Sequence, residues 1–144
     1  MLQAERFVGT WALEAFEVEL PDATRVHPMG EDALGRLSYD RSGRMSAMLS
    51  RADRSPLSVP RLEAYGKAPA DEKVLAFDSF MAYAGRYTLE EDAVVHHVEL
   101  ASVPNIVGAQ QRRQASFDGE TLVLRYSITS SRGTRTNILR WRRL

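Results

Sequence analysis

The sequence predicts an all-β fold, a small antiparallel up-and-down β-barrel of about eight or nine strands with one helix near residues 71–84. Apolar and polar residues alternate in short runs, and turn residues such as Asp118-Gly119 separate these runs. The first strand also changes phase near Ala15-Phe16, which indicates a bulge or bend of the kind that small barrels use to close. The length of 144 residues fits one domain, 1–144, with a real core.

The order of the elements follows from the same signals. A helix is expected to begin at Asp71 and to run to about Ala84, because Val74, Phe77 and Met81 recur at helical spacing. The proline-containing segment 50–70 is expected to be a loop that could cover the mouth of a pocket. The strands are predicted at 10–20, 35–40, 44–49, 86–89, 93–101, 109–117, 121–128 and 134–143.

Composition excludes several classes of protein and partner. Lys plus Arg and Asp plus Glu both number 19, so the chain offers no general attraction to nucleic acid or to an anionic membrane surface. The absence of cysteine excludes disulfides, thiolate catalysis and cysteine-based zinc sites. The first residues lack the features of a signal peptide, and no apolar run approaches the ~20 residues of a membrane helix. We therefore expect a cytoplasmic protein with neither nucleic acid nor membrane as partner.

Strand alternation predicts which polar side chains point into the barrel. In the strand 93–101, the even positions from Val94 to Leu100 form the more apolar face, so His96 is expected inside. In the strand 109–117, the odd positions are expected inside, and these include Gln111 and Arg113. Aromatic residues that share faces with apolar neighbours are expected to join them: Tyr39, Tyr87, Tyr126 and Trp141.

Each charged or titratable candidate has more than one interpretation. Arg113 could clamp a carboxylate or phosphate through two parallel hydrogen bonds. It could equally meet an internal acid, stack on Trp11 or reach solvent at a barrel end. His96 could act as a general acid or base, or it could be a core histidine satisfied by a hydrogen bond, and no Asp or Glu shares its predicted face. His96 and His97 point to opposite faces, so we expect no metal site and no cofactor.

Short motifs along nearly the whole chain resemble one family. Gly9-Thr10-Trp11 resembles the G-x-W opening of lipocalin-like proteins, which have calycin-type barrels. Further segments resemble, in order, the bacterial and fungal group called lipocalin-like domain proteins: 27–30, 35–39, 43–47, 83–87, 96–99, 104–108, 111–113 and 139–143. One departure is Ile106, because members of this group often carry an aromatic residue after Pro-Asn.

The resemblance implies a barrel with a central cavity that binds small hydrophobic molecules. It also implies that Trp11 is structural and closes one end of the barrel, with an arginine from a late strand packed across it. That arginine could be Arg143 or Arg113.

Three functions remain open at this level. The first is binding of a small hydrophobic molecule that carries a polar or anionic group. The alternative is a cofactor-independent isomerase, cyclase or hydratase in which His96 is the catalytic acid or base and Arg113 stabilises an oxyanion. The third is an interaction protein whose barrel is filled by side chains, and the surface permits a monomer or a homodimer. The expected ligand-binding residues are Tyr39, Met45, Tyr87, His96, Asn105, Gln111 and Arg113.

Overall fold

Antiparallel strands form one sheet that closes on itself. The computed structural model describes the backbone of residues 1–144 and the side chains of all of them except residues 62 and 63. The strands are β1 Gly9–Glu19, β2 Arg25–Val26, β3 Leu34–Tyr39, β4 Arg44–Ser50, β5 Phe80–Leu89, β6 Ala93–Ala101, β7 Gln110–Asp118, β8 Thr121–Ser130 and β9 Gly133–Arg143. From β3 to β9 each strand pairs with the next, and β1 pairs with both β3 and β9. This confirms the predicted up-and-down barrel, with β2 as a short extra strand beside β1.

A bulge in β1 bends the strand. The register of β1 against β9 shifts between Leu13 and Ala15, so Glu14 is the extra residue. The bulge therefore lies slightly before the predicted Ala15-Phe16. Because the shift reverses the side-chain phase, Trp11 and Phe16 are both buried although their numbers differ in parity.

The described helices are short, and one prediction about them was wrong. They are α1 Ala4–Phe7, α2 Ala70–Asp78 and 3₁₀ helices at Leu62–Lys67 and Pro104–Ile106. The helix expected to reach Ala84 ends at Asp78, and Phe80 already begins β5. Residues 80–89 instead pair with strands on both sides, which satisfies their backbone hydrogen bonds. No helix among the described residues is long and apolar enough to cross a membrane.

A second bulge overturns the predicted orientation of Leu100. The pairing of β5 with β6 skips Glu99 at the step from Ala84 to Gly85. Leu100 therefore turns outward and is 65% exposed, whereas alternation alone predicted that it faces inward. A Cβ at Gly85 would lie 1.9 Å from the carbonyl oxygen of His97, so the two strands approach this closely only because residue 85 is glycine.

The end of the barrel at which β1 begins is closed by α1. Phe7 is fully buried there, and its carbonyl accepts a 2.9 Å hydrogen bond from the Trp11 indole. The Arg143 guanidinium carbon lies 4.2 Å from the centre of the Trp11 ring, and Arg143 donates to the Val8 carbonyl at 2.7 Å. Gly9 has a φ of +140°, a backbone conformation that favours glycine, and a Cβ there would also lie 2.6 Å from this guanidinium. Arg143, rather than Arg113, is the arginine across the tryptophan.

Candidate functional site

The barrel interior contains a cavity of about 80 Å³. A water molecule needs roughly 10–15 Å³ of such space, so the cavity would hold several and the interior is not filled by side chains. All eight strands of the closed barrel contribute to its wall. The lining residues are Phe16, Leu37, Ala47, Leu49, Met81, Tyr83, His96, Arg113, Leu124, Tyr126, Leu139 and Trp141.

A groove of about 280 Å³ lies outside the barrel, between residues 51–57 and α2. Half of its lining residues are exposed and none is buried, so it offers little desolvation to a bound molecule. The segment 50–70, which was predicted to be a loop over a pocket mouth, lines part of this outer groove. None of its residues is among the described residues that line the inner cavity. We therefore place the candidate site inside the barrel.

His96 lies in the cavity wall between two tyrosines. It is 1% exposed, and its Nε2 lies 2.6 Å from the Tyr39 hydroxyl while its Nδ1 lies 2.8 Å from the Tyr83 hydroxyl. Burial, helped by the positive charge of Arg113, lowers the pKa of His96 to about 3. The imidazole is therefore neutral at neutral pH, with one nitrogen donating a hydrogen bond and the other accepting one.

Both tyrosines beside His96 keep their protons at neutral pH. Burial raises the pKa of Tyr83 to about 12, although the nearby charge of Arg113 opposes that rise. Burial also raises the pKa of Tyr39 well above its usual value, and Tyr39 is 2% exposed. The three side chains thus form a neutral hydrogen-bonded chain that reaches from the core to the cavity.

Arg113 supplies the positive charge of the cavity wall. Its guanidinium carbon lies 3.8 Å from the centre of the Tyr126 ring, an arrangement that favours a cation. It donates to the Gln111 side-chain oxygen at 2.8 Å and to the Arg112 carbonyl at 3.3 Å. No carboxylate among the described side chains pairs with it. Of the interpretations open from the sequence, neither an internal acid nor stacking on Trp11 is observed.

Trp141 adds a buried donor to this wall. It is 2% exposed, and its indole nitrogen has no hydrogen-bond partner among the described residues. An indole N–H can only donate, and a buried donor without an acceptor is unfavourable by about 1–3 kcal/mol. An acceptor atom brought close to it would therefore be stabilised.

The structure brings four of the predicted site residues together. His96 and Arg113 line the cavity. Tyr39 and Gln111 do not line it, but each is hydrogen-bonded to one of those two side chains. These four therefore form two hydrogen-bonded pairs, and the pairs are neighbours because His96 lies opposite Gln111 across β6 and β7.

The other three predicted ligand-binding residues lie elsewhere. Met45 and Tyr87 are buried on the inner face, nearer the closed end, and the Tyr87 hydroxyl donates to the Asp40 carbonyl at 2.8 Å. Asn105 is exposed in the 3₁₀ helix between β6 and β7, outside the cavity. Their binding roles stay predictions, but none of the three contributes to the described cavity wall.

Sequence reasoning missed Tyr83 and the role of Trp141 as a donor. Tyr83 was assigned to the helix that ends earlier than expected, so its inward orientation could not be read. The signal was present, because Met81, Tyr83, Gly85 and Tyr87 alternate with residues that face out. Interpreting that alternation as one long strand would have placed Tyr83 on the inner face, where His96 also lies.

The cavity wall offers few metal ligands. His96 is its one histidine, and both of its ring nitrogens are engaged by tyrosine hydroxyls. Across the part of the chain that the structure describes, no group of three or more His, Asp or Glu side chains is arranged to hold a metal ion.

Comparison with known proteins agrees with this geometry. The lipocalin-like domain family matches residues 8–144. A 4'-hydroxy-3'-methoxypropiophenone carrier protein of Aspergillus oryzae is 31% identical over 84 residues, which cover 51% of this chain and 76% of that protein. No solved structure matches the chain. The closed barrel and the family match together show that the chain belongs to the family of lipocalin-like domain proteins.

Proposed function

We propose that this protein is a carrier that binds a small, mostly apolar molecule with a polar or anionic group inside the barrel. The observation that carries the proposal is the cavity inside the barrel, whose mostly apolar wall holds one charged side chain, Arg113, with no acidic partner among the described residues. Ligand sites of this kind combine an apolar lining with a few convergent polar groups. The relative from Aspergillus oryzae is named as a carrier of an aromatic ketone, which supports the same role here.

The size of the cavity limits the ligand. Its volume of about 80 Å³ is well below the roughly 300–1,000 Å³ of sites for drug-sized molecules. Phe16, Tyr126 and Trp141 contribute flat aromatic surfaces to the wall. A molecule built on a single substituted ring fits this space and these surfaces best.

Binding is favoured over the alternative of a cofactor-independent isomerase, cyclase or hydratase. A catalytic acid or base works best when its pKa lies near the working pH, whereas burial lowers the pKa of His96 to about 3. Both of its nitrogens are also occupied by Tyr39 and Tyr83. We propose that His96 positions the two tyrosines and does not transfer protons to a substrate.

Calorimetric titration with 4'-hydroxy-3'-methoxypropiophenone tests the proposal. Ala47 lines the cavity, so Ala47→Phe should fill it, at a cost of about 1–3 kcal/mol in stability. Met48 is the adjacent outward-facing residue, so Met48→Phe is the matched control. We expect binding by the wild type and by Met48→Phe, and loss of binding in folded Ala47→Phe. Equal binding by all three proteins would place the ligand outside the barrel and contradict the proposal.

A further inference from the structure

The Tyr39 hydroxyl determines which nitrogen of His96 carries the proton. Tyr39 is 2% exposed, and its hydroxyl has one partner among the described residues, the His96 Nε2 at 2.6 Å. If Nε2 carried the proton, the Tyr39 hydrogen would be buried without an acceptor. The favoured arrangement is therefore a Tyr39 hydroxyl that donates to Nε2, with the imidazole proton on Nδ1.

The direction of donation is then fixed along the chain. Nδ1 of His96 donates to the Tyr83 oxygen across 2.8 Å, so the hydrogen of the Tyr83 hydroxyl must point elsewhere. Tyr83 lines the cavity, and no other acceptor for its hydroxyl lies within hydrogen-bonding distance among the described residues. Tyr83 is thus available as a donor to a molecule in the cavity.

Two further polar side chains of the wall can only donate, whereas the Tyr126 hydroxyl can donate and accept. The Arg113 guanidinium cannot accept a hydrogen bond, and neither can the Trp141 indole N–H, which has no partner among the described residues. The described lining includes no Asp or Glu. The wall therefore has one net positive charge and an excess of donors.

We infer that the molecule carried in the cavity is a small apolar anion, a phenolate or carboxylate, whose oxygen accepts hydrogen bonds from Tyr83 and Arg113, and that Tyr39 enforces this preference through His96 without touching the ligand. The inference rests on the proposed carrier function of the same cavity. Beyond that function, it specifies that the ligand is negatively charged and that Tyr39 sets the direction of the hydrogen bonds from Tyr39 through His96 to Tyr83.

Titration with 4-nitrophenol and 4-nitroanisole tests the charge preference. The two probes have nearly the same shape, but only 4-nitrophenol ionises, and its absorbance reports the ionised fraction. The titratable side chains at the cavity are Tyr83, His96 and Tyr126, which line it beside the charged Arg113, and Tyr39, which is hydrogen-bonded to His96 behind the wall. Burial raises the pKa of each tyrosine and lowers the pKa of His96 to about 3, so none of these four changes protonation between about pH 5 and pH 9. We expect the phenolate to bind about tenfold or more tightly than 4-nitroanisole, with a matching fall of about one unit in the pKa of bound 4-nitrophenol.

Matched variants distinguish the loss of a contact with the ligand from a general effect on the fold. Tyr83→Phe and Arg113→Met should each reduce phenolate affinity about tenfold. The control variants make the same substitutions away from the cavity: Tyr65 is exposed outside the barrel, and Arg112 lies beside Arg113 but faces out. Tyr65→Phe and Arg112→Met should therefore leave phenolate affinity within about twofold of wild type.

Tyr39→Phe tests whether Tyr39 affects ligand binding through its hydrogen bond to His96 or only packs in the core. It should weaken phenolate binding although Tyr39 does not line the cavity, because His96 is no longer held in one tautomer. In a protein that already carries Tyr83→Phe, adding Tyr39→Phe should have less effect than it has in the wild type. Additive effects would show that the two tyrosines act independently and would overturn the role given to Tyr39.

Nitrogen-15 NMR of the histidines observes the tautomer directly. The chain has three histidines, so His27→Gln and His97→Gln identify the His96 signals. We expect His96 to carry its proton on Nδ1, and a proton on Nε2 would overturn the inference. If 4-nitroanisole binds as tightly as the phenolate, the carrier function stands and the anion preference fails. If neither probe binds, the proposed carrier function is contradicted and the inference fails with it.

Discussion

The guanidinium carbon of Arg113 lies 3.8 Å from the centre of the Tyr126 ring, and both residues line the cavity. Their strands, β7 and β8, are neighbours in the barrel, so the stack is built from adjacent inner faces. The face of an aromatic ring attracts a cation, which replaces part of the solvation that Arg113 loses inside the barrel. The protein thereby keeps a charge at the cavity wall without a neutralising carboxylate among the described residues.

Replacing the ring should weaken ligand binding through Arg113. Tyr126→Leu keeps an apolar wall but removes a cation–π contact of about 0.5–2 kcal/mol, so Arg113 is held less firmly. We expect 4-nitrophenolate affinity to fall by about 3–10-fold in spectrophotometric titration. Tyr65→Leu, at a tyrosine that is 60% exposed outside the barrel, is the control and should bind normally. Unchanged affinity in Tyr126→Leu would mean that the stack does not position the guanidinium.

Gly85→Ala should be strongly destabilising. The added Cβ would lie 1.9 Å from the His97 carbonyl oxygen, and both atoms belong to paired strands that cannot separate without breaking the bulge. We expect the free energy of unfolding in urea to fall by about 3 kcal/mol or more. No atom of the described residues lies within 4 Å of a Cβ added at Gly66, so Gly66→Ala should change stability by no more than about 0.5 kcal/mol. Similar effects at the two sites would refute the close approach of β5 and β6.

The closed end of the barrel should depend on Arg143 but not on its neighbour. Arg143 stacks on Trp11 and donates to the carbonyls of Arg6 and Val8, so Arg143→Met should cost about 2 kcal/mol of stability. Arg142 is exposed and lies 3.9 Å from Glu14, so Arg142→Met should have little effect. Urea unfolding of both variants checks this. Equal losses would indicate that charge, rather than the contacts at Trp11, decides stability.

Stability should fall as the solution is acidified below neutrality, because of His96. Its pKa in the folded protein is about 3, below the usual value near 6.5, so the unfolded chain binds the extra proton first. The stabilisation is complete above about pH 6.5 and is lost as the pH falls towards 3, which amounts to roughly 2 kcal/mol by pH 4.5. His96→Gln can still form hydrogen bonds but does not titrate, so its unfolding free energy should vary less over this range.

The control for this pH dependence is His97→Gln, which leaves the buried imidazole in place. It should retain the wild-type loss of stability between pH 6.5 and 4.5. Carboxylates with lowered pKa values, such as Asp40, affect stability only at lower pH, because the usual pKa of an Asp is already about 4. A wild-type protein whose stability is constant over this range would show that His96 is protonated in the fold or exposed.

The sequence predicted the barrel and the inner-face polar residues because alternation is a local pattern. His96, Gln111 and Arg113 follow directly from the parity of their positions within single strands. Beyond a bulge, whether a position is odd or even no longer predicts which face its side chain is on, and Leu100 was assigned to the wrong face for this reason. A bulge depends on a close approach between two strands, and one strand's sequence does not encode that distance.

Two further features could not be predicted from local sequence patterns: how deep an inward-facing residue lies in the barrel, and the residue at which α2 ends. Met45 and Tyr87 share the inner face with the cavity residues but lie nearer the closed end, a position set by the register between strands. Residues 80–84 fit helical and strand patterns alike, and pairing with β4 and β6 decides between them. Tyr83 was lost from the predicted site for that reason alone.

Intermolecular NOEs show where in the protein a small ligand binds. They are measured on wild-type protein with methyl-labelled leucine and methionine, saturated with 4'-hydroxy-3'-methoxypropiophenone. If the ligand binds inside the barrel, it should give NOEs to Leu124, Leu139 and Met81, which line the cavity. NOEs confined to Leu57 and Leu75, which line the outer groove, would contradict binding inside the barrel.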